Sequence, residues 1–492
     1  LVAAIAIAWW FVRARTALPA GEPGAVRSIA VLPFANVRED PNLDYLGDGI
    51  AESLISRLSP LEGLEVLART TVFRFKGKDV DPLEVGRKLG VSAVVDGRVE
   101  EISGRLLIGA ELVNVSSGAQ IWGERFDRPF SDLFGIEEDV ARRISKSLAV
   151  RLGKREEERL AARPTDNDEA YRLYLQGRHL WYERTMEGVQ KSIDLFRTAV
   201  ELDPNFALAW NGLGNAYTVG WAGYIGLPIE EAYRRGETAV RRALALDDDL
   251  PEAHTSLAFL LFERQWDWSG AEREFRRALD LDPGSAYTHQ AYGEYLYCIG
   301  RFDESLAQLE RARELDPLSE IVASVIGWSH LARGDTERAI AQFQDVLDRT
   351  PGFIDAQDGL TQAMFSAPRS DTERAASLLD LMRAGGLSRK DVDSLSEAND
   401  RGGLPDLLAA LLVLEKDGRH QGWLSGPQFV LWTYGELGEK AEAVKIFEKM
   451  YAERSPAMSY AKTGPYFDPI RSEPRFKEIL AEMKFPATPG GR

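Results

Sequence analysis

Residues 278–317, ALDLDPGSAYTHQAYGEYLYCIGRFDESLAQLERARELDP, decide the fold because they begin and end on the same phrase. Related phrases stand at 199–204 (AVELDP), 243–248 (ALALDD) and, in a weaker form, 346–351 (VLDRTP). Their last positions are 204, 248, 283, 317 and 351, so the steps between them are 44, 35, 34 and 34 residues. The chain therefore repeats with a period near 34, and the longer first step predicts an insertion in the aromatic loop at 219–228.

The residues inside each period match the helix-pair pattern of the tetratricopeptide repeat (TPR), whose length is about 34 residues. Small residues stand where the two helices of a pair must cross closely, as at Gly214, Gly293 and Gly327. We therefore predict TPR repeats over 167–365. The pattern weakens afterwards, and because a solenoid needs an atypical terminal cap, 366–492 is predicted to hold degenerate repeats and that cap.

The part of the chain before the repeats predicts a small α/β domain at 28–151. Short apolar runs alternate with helical spacing there, and Ser103-Gly104 and Ser116-Ser117-Gly118 suit turns between strands. Strands are predicted at 28–34, 64–67, 91–95, 106–115 and 120–126, and helices at 44–61, 81–89 and 133–152. A Pro/Gly/Ala-rich linker at 13–27 and a charged linker at 152–166 flank this domain.

The first twelve residues, LVAAIAIAWWFV, are apolar and carry no charge. A transmembrane helix needs about 20 such residues, so 1–12 is predicted to be part of a spanning helix. The alternative is the core of a signal peptide. The prediction places the protein in the inner membrane with a single pass and its main part in the periplasm, although Arg13 and Arg15 oppose that orientation by the positive-inside rule.

Composition excludes several classes of function. The formal net charge of −17 repels phosphate backbones, so no nucleic-acid partner is predicted for this chain. A single cysteine, Cys298, excludes an intrachain disulfide and a cysteine-based zinc site. Asp40, Asn42 and Asp44 have the opening spacing of a calcium loop, but Tyr45 and Ala51 replace the glycine and glutamate that such a loop requires. No catalytic residue, cofactor or metal is predicted.

The first helix of each repeat pair lines the concave surface of a TPR solenoid, and counting in phase gives a candidate protein-binding groove. Aromatic rings and amides alternate in it, which suits an extended peptide. The candidate residues are Tyr174, Arg178, Trp181, Asn211, Asn215, Phe259, Gln290, Glu294, Tyr297 and Trp328. The alternative is that several of them pack between helices.

Several phrases resemble a known family. SIAVLPF (28–34), YLGDGIAESLISRL (45–58) and GVSAVVDGRV (90–99) resemble the TolB amino-terminal-like domain of bacterial membrane signalling proteins, and YLQGRHLW (174–181) and PYFDPIRSEPRFKEIL (465–480) resemble the TPR region of those proteins. The resemblance implies that a single transmembrane helix precedes these domains. It also implies an effector ahead of that helix, either a serine/threonine kinase, a winged-helix regulator or a class III cyclase. It supplies no catalytic residues.

The leading hypothesis is a non-catalytic protein-interaction and sensory module whose TPR groove binds a protein or peptide. Its predicted partners are that protein, the inner membrane and a second copy of the chain in a homodimer. One alternative is the sensory half of a kinase, cyclase or transcriptional regulator. Another is an α/β domain that binds a small ligand through Asp96, Arg98, Glu111 and Arg125, which are polar residues within strands.

Overall fold

A computed structural model describes residues 26–38, 40, 43–78, 80–148, 150, 152–183, 185–219, 226–384, 387–417 and 426–487. The predicted membrane segment at 1–12 and most of the linker that follows lie outside these ranges. Among the described residues, no helix combines the length and the apolar character that a membrane crossing requires.

The α/β domain is built on a mixed sheet with the strand order β3-β1-β4-β5-β6, and β2 pairs with β4. Strands β1, β2 and β3 run parallel to their neighbours, whereas β4, β5 and β6 form an antiparallel meander. The strands are β1 Ser28–Val31, β2 Ala35–Asn36, β3 Glu65–Val66, β4 Ala93–Ile102, β5 Arg105–Asn114 and β6 Gln120–Pro129. The mixed sheet predicted from the sequence is thereby confirmed, although β4 runs seven residues beyond its predicted end.

Five helices accompany the sheet. They are α1 Asp44–Leu58, α2 Arg69–Val72, α3 Pro82–Leu89, α4 Leu133–Ser147 and α5 Lys154–Ala161. α1 and α4 bury their apolar faces against the sheet, and Ile50, Leu54 and Val140 are fully buried there. Burial of this kind is the main source of stability for such a layer.

The TPR solenoid predicted from the period is also confirmed. Its helix pairs are α6 Asp168–Tyr182 with α7 Met186–Leu202, α8 Ala207–Val219 with α9 Ile229–Leu246, α10 Pro251–Leu260 with α11 Trp268–Leu281, α12 Ala286–Cys298 with α13 Phe302–Leu315, α14 Glu320–Arg333 with α15 Thr336–Arg349, and α16 Ile354–Ser366 with α17 Asp371–Ala384. A methyl group on Gly293 would meet the side chain of Leu309 at 2.7 Å, and one on Gly327 would meet Phe343 at 2.6 Å. These contacts explain why the repeat requires small residues at its crossing points.

The C-terminal part departs from the repeat. α18 Arg389–Lys416 bends at Gly402 and Gly403, whose backbone angles are not helical. α19 Pro427–Glu436 and α20 Lys440–Ala452 form the last helix pair. Residues 456–487, here called the C-terminal segment, follow as two short 3₁₀ turns and α21 Pro474–Glu482. This segment returns to the repeats, with Trp268 Nε1 donating to the Met483 carbonyl at 2.9 Å.

Candidate interaction surface

The ten predicted groove residues all lie on the first helices of successive repeats, namely α6, α8, α10, α12 and α14. Tyr174, Asn211, Gln290, Tyr297 and Trp328 are buried, and Arg178, Trp181, Asn215, Phe259 and Glu294 are half-buried. Their surroundings differ along the solenoid, because other parts of the chain cover the two ends of this concave surface.

At the first repeat the α/β domain covers the surface through a buried carboxylate. Glu137 of α4 is fully buried and accepts hydrogen bonds from Ser53 of α1 at 2.5 Å and from Tyr171 of α6 at 3.0 Å. Arg57 stands 3.7 Å from the same carboxylate. Burial raises the pKa of Glu137, and burial together with the neighbouring carboxylate raises the pKa of Tyr171. Three helices of two domains therefore meet at one polar centre.

Two further carboxylates of α1 extend this contact. Glu52 pairs with Arg178 at 3.1 Å and also with Arg69. Asp48 accepts hydrogen bonds from His179 Nδ1 and from Lys76 Nζ, both at 2.7 Å. Burial would raise the pKa of Asp48, but these two partners outweigh it and hold that pKa below its usual value of 3.8. The predicted groove residue Arg178 is therefore engaged within the chain.

The α/β domain also contacts the turns that connect the repeats. The Ala68 N–H donates to the Leu315 carbonyl at 2.8 Å, and Thr71 Oγ1 donates to Asp316 at 2.7 Å. One repeat earlier, Ser59 Oγ donates to Asp282 at 2.9 Å. Asp282 and Asp316 are the aspartates of the repeated phrase, so one residue of the repeat signature also serves as a docking point.

At the other end of the surface the C-terminal segment contacts the first helices of the later repeats. Tyr460 donates a hydrogen bond to Glu294 at 2.5 Å, and its ring lies 5.7 Å from that of Tyr297. Tyr466 donates to Asp358, and its ring lies 6.4 Å from that of Trp328. Three of the predicted groove residues, Glu294, Tyr297 and Trp328, are thus covered by this segment.

The carboxylates under the C-terminal segment differ from those at the first repeat. Burial and neighbouring carboxylates raise the pKa of Glu263 to about 8 and that of Glu294 to about 7. Burial raises the pKa of Asp355 to about 6 and that of Asp358 well above its usual range. Uncharged donors serve these groups, since Tyr233 donates to Glu263 and Trp328 Nε1 donates to Asp355.

Between the two covered ends lies an accessible stretch. The rings of Phe259 and Tyr287 stack with centroids 6.2 Å apart, and Tyr287 is 52% exposed. Ile321 stands 34 residues after Tyr287 and is 50% exposed. Asn215 of the preceding repeat accepts a hydrogen bond from Ser256 of α10, the helix that carries Phe259, at 2.8 Å. Ile321 escaped the sequence prediction, although its 34-residue offset from Tyr287 would have identified it.

The polar residues proposed for a ligand in the α/β domain come together on the meander. Asp96 of β4 lies opposite Glu111 of β5. Two residues along the sheet, Gly109 of β5 lies between Arg98 of β4 and Arg125 of β6. Burial and the nearby Glu111 raise the pKa of Asp96. Among the described residues, no group of His, Cys, Asp and Glu side chains could hold a metal ion.

A cavity of about 700 Å³ adjoins the C-terminal segment at the turns within the repeats. Arg333, Lys462 and Arg471 line it. Lys462 donates to the carbonyls of Ile299 and Pro486, and Arg333 and Arg471 pair with Asp303 and Asp468. These cations are committed to internal contacts, so the cavity offers no free charge to a ligand.

Comparison with known proteins supports the repeat assignment. Residues 293–352 match the tetratricopeptide repeat family. A protein named putative adenylate cyclase 3 from Rhizobium meliloti (strain 1021) is 32% identical over 234 residues. That match covers 48% of this chain and 40% of the relative, so the chain spans about two fifths of the relative's length.

Three solved structures resemble parts of the chain. YrrB, described as a TPR protein with an unusual peptide-binding site, is 21% identical, with 39% of this chain and 92% of YrrB covered and a TM-score of 0.27. Pseudomonas aeruginosa PilF is 20% identical, with 55% and 97% covered and a TM-score of 0.30. The human IFIT1 dimer with m7Gppp-AAAA is 14% identical, with 66% and 81% covered and a TM-score of 0.42. Nothing about function follows from these TM-scores, and the repeat assignment rests on the family match and the helix pairs.

Proposed function

We propose that this chain is a non-catalytic protein-interaction and sensory module, and that its solenoid binds a protein or peptide at the accessible middle of the concave surface. The observation that carries the proposal is the contrast along that surface. Both ends are covered by the chain itself, whereas Tyr287, which stacks on Phe259, and Ile321 one repeat later are 52% and 50% exposed; these three residues are here called the apolar strip. Exposed aromatic and aliphatic side chains in a concavity are typical anchors for a partner.

The chemistry of the strip favours an extended segment with apolar side chains. Tyr287 and Ile321 occupy the same position of successive repeats, so they lie in a row along the surface. The half-buried amide of Asn215 suits a hydrogen bond to a peptide backbone. The predicted groove is thereby reduced to its central part, with Arg178 and Glu294 as its two borders.

The likeness to a protein named putative adenylate cyclase supports a signalling role for the whole protein. In this proposal the chain is the sensory half of a larger protein whose effector lies outside it, as the family resemblance of the sequence implies. An anchor in the inner membrane at 1–12 and a periplasmic location belong to the same proposal. Binding at the solenoid would then be reported through the α/β domain, which contacts four of its repeats.

The test replaces the apolar strip by charge. We expect the double variant Tyr287→Asp, Ile321→Asp to lose at least tenfold in affinity for a partner captured from an envelope extract, because buried apolar anchors dominate such contacts. The control is Leu202→Asp, since Leu202 is 45% exposed and ends the second helix of the first pair. Affinity is measured by calorimetry with the purified partner. Equal affinity of both variants would place the binding site elsewhere.

A further inference from the structure

The meander ends in a long edge strand. β6 spans the ten residues Gln120–Pro129 and stands last in the strand order. Among the described residues, no other strand pairs with its outer edge. An edge of this length presents a row of backbone donors and acceptors to any strand that fits it.

The pairing with β5 shows which residues direct their backbone outward. The Phe130 N–H donates to the Gly104 carbonyl at 3.0 Å, one step beyond the register that joins Arg105 to Pro129. In an antiparallel ladder, hydrogen-bonded pairs alternate with pairs whose N–H and C=O groups point away from the neighbouring strand. Arg125 and Asp127 therefore direct their N–H and C=O groups toward the free edge, while Pro129, which has no N–H, stands at the end of that row.

We propose that two copies of this chain associate through β6, antiparallel about a two-fold axis at Phe126, so that the two sheets become one. In this register Arg125 of each copy lies opposite Asp127 of the other copy. The same register places Glu124 opposite Arg128, also twice. The interface is isologous, as is usual for a symmetric dimer, and its occupant is a second copy of the same strand.

Charge complementarity selects this register from its neighbours. A two-fold axis at Arg125 would set Arg125 against its own copy, and an axis at Asp127 would set two aspartates together. An axis at Glu124 would likewise oppose two glutamates. Like charges directly opposite one another destabilise a ladder, whereas opposite charges stabilise it. Only the axis at Phe126 gives pairs of opposite charge on both faces of the strand.

Glu124 already pairs with Arg143, and Arg128 with Asp132 and Asp139, so the choice of register rests mainly on Arg125 and Asp127. The carbonyl of Asp127 accepts a hydrogen bond from Arg105 at 2.9 Å, which the pairing would replace. Arg125 is exposed and makes no hydrogen bond or ion pair with the described residues. Asp127 pairs with Arg105 at 2.7 Å, and both side chains are more than half exposed. A charged edge usually prevents association with foreign strands. The mixed charges of β6 disfavour pairing with most other strands, but they pair with opposite charges when a second copy of β6 lies in this register.

The first experiment measures the self-association of the full chain by sedimentation equilibrium. We expect a dimer, and we expect Arg125→Glu and Asp127→Lys each to weaken it about tenfold, because each creates two like-charge pairs. The double variant Arg125→Glu, Asp127→Lys restores opposite charges and should restore the dimer. Arg197→Glu on α7 is the control for an exposed charge change. A monomer at all concentrations up to about 100 µM would overturn the proposal.

The second experiment tests the register directly. Arg125→Cys and Asp127→Cys are prepared as separately tagged proteins, and the native Cys298 is buried. Directly opposed residues of a hydrogen-bonded pair have β-carbons about 5 Å apart, so a small backbone adjustment brings them within disulfide range, whereas residues offset by two lie about 7 Å apart and are too distant. The mixture should therefore form a disulfide-linked pair carrying both tags, and each protein alone should not. Dimers that respond neither to charge nor to these cysteines would overturn the assignment to β6.

Discussion

The two covered ends of the concave surface are held by different chemistry. At the first repeat, carboxylates of α1 meet basic side chains, as Glu52 meets Arg178 and Asp48 meets Lys76 and a ring nitrogen of His179. At the later repeats, carboxylates meet hydroxyl groups of the C-terminal segment, as Glu294 meets Tyr460. The partners of Asp48 lower its pKa at the first end, where burial raises the pKa of Glu137, whereas the pKa of each carboxylate named under the C-terminal segment is raised.

This difference implies different roles for the two contacts. At the first repeat, the hydrogen-bond partners of Asp48 hold its pKa below its usual value, so this carboxylate stays ionised near neutral pH. At the later repeats, the contact between the C-terminal segment and the buried neutral acids weakens as those acids ionise, because a buried charge without a cation is costly. We therefore expect the contact through Asp48 to persist near neutral pH and the contact of the C-terminal segment to be pH-sensitive.

The largest effect is expected from a substitution at the buried centre of the contact between the α/β domain and the first repeat. Glu137→Ala should lower the free energy of unfolding by about 3 kcal/mol, because it leaves Arg57 and two hydroxyl groups without their shared acceptor. The neighbouring Glu138→Ala is the control. Glu138 forms a half-exposed pair with Arg142 one turn along the helix, so about 0.5 kcal/mol is expected there. Denaturant unfolding measures both, and similar losses would contradict a special role for Glu137.

A second prediction compares a covered turn with an open one. Gly284 and Gly352 both follow the proline of the repeated phrase. A methyl group on Gly284 would stand 2.3 Å from the Ser59 carbonyl oxygen of the α/β domain, whereas one on Gly352 would meet nothing within 4 Å. We expect Gly284→Ala to cost about 2 kcal/mol and Gly352→Ala to be neutral or slightly stabilising. Thermal unfolding of the two variants measures the difference, and equal midpoints would mean that the α/β domain is not seated on this turn.

The last prediction concerns the change of stability with pH, which has opposite signs at the two covered ends of the concave surface. The pKa of Asp48 is lowered on folding, so its contribution to stability is present above 3.8 and is lost as the pH falls through the folded value. The pKa of Glu294 is raised from 4.5 to about 7, so its contribution is complete below 4.5 and is lost as the pH rises through 7. Asp48→Asn should therefore destabilise the protein by about 2 kcal/mol at neutral pH. Glu294→Gln should gain about 2 kcal/mol relative to the parent between pH 5 and pH 8.

Urea unfolding at pH 3, pH 5 and pH 8 checks both variants: the cost of Asp48→Asn should shrink between pH 5 and pH 3, and the gain of Glu294→Gln should appear between pH 5 and pH 8. Using the change between two pH values removes any pH-independent cost of the amide. Glu304→Gln is a matched control, because Arg301 holds the pKa of Glu304 below its usual range. That variant should lose stability at pH 8, and a gain there would undermine the assignment of signs.

The repeats could be predicted from the sequence because their signal is local and recurs. The aspartates at 282 and 316 stand in phase, and the glycines at helix crossings follow from sterics within one pair. The core strands were predictable for a similar reason, since a buried strand is an apolar run. β4 was predicted too short because Asp96, Gly97 and Arg98 end that run, although the ladder with β5 continues past them.

No local or recurring sequence pattern marked the residues that cover the groove. The contact between Thr71 and Asp316 joins residues 245 positions apart, and neither residue type marks it in advance. Tyr460 and Tyr466 stood in a segment predicted only as a cap, so their contacts with Glu294 and Asp358 were not foreseen. Sequence reasoning placed the ten groove residues on the right helices, but it could not show which of them the chain itself would cover.

The α/β domain and the C-terminal segment cover the two ends of the concave surface, and the residues between these ends are more exposed. Hydrogen–deuterium exchange of the full chain at pH 6.5 tests this arrangement most directly. The account predicts strong protection at 64–72 and at 456–470, where backbone N–H groups of Ala68 and Phe467 are bonded, and an increase in exchange at 456–470 alone when the pH is raised to 8, after correction for intrinsic rates. Exchange at 456–470 as fast as in an unfolded peptide at both pH values would contradict it, because the C-terminal segment would then leave the groove open.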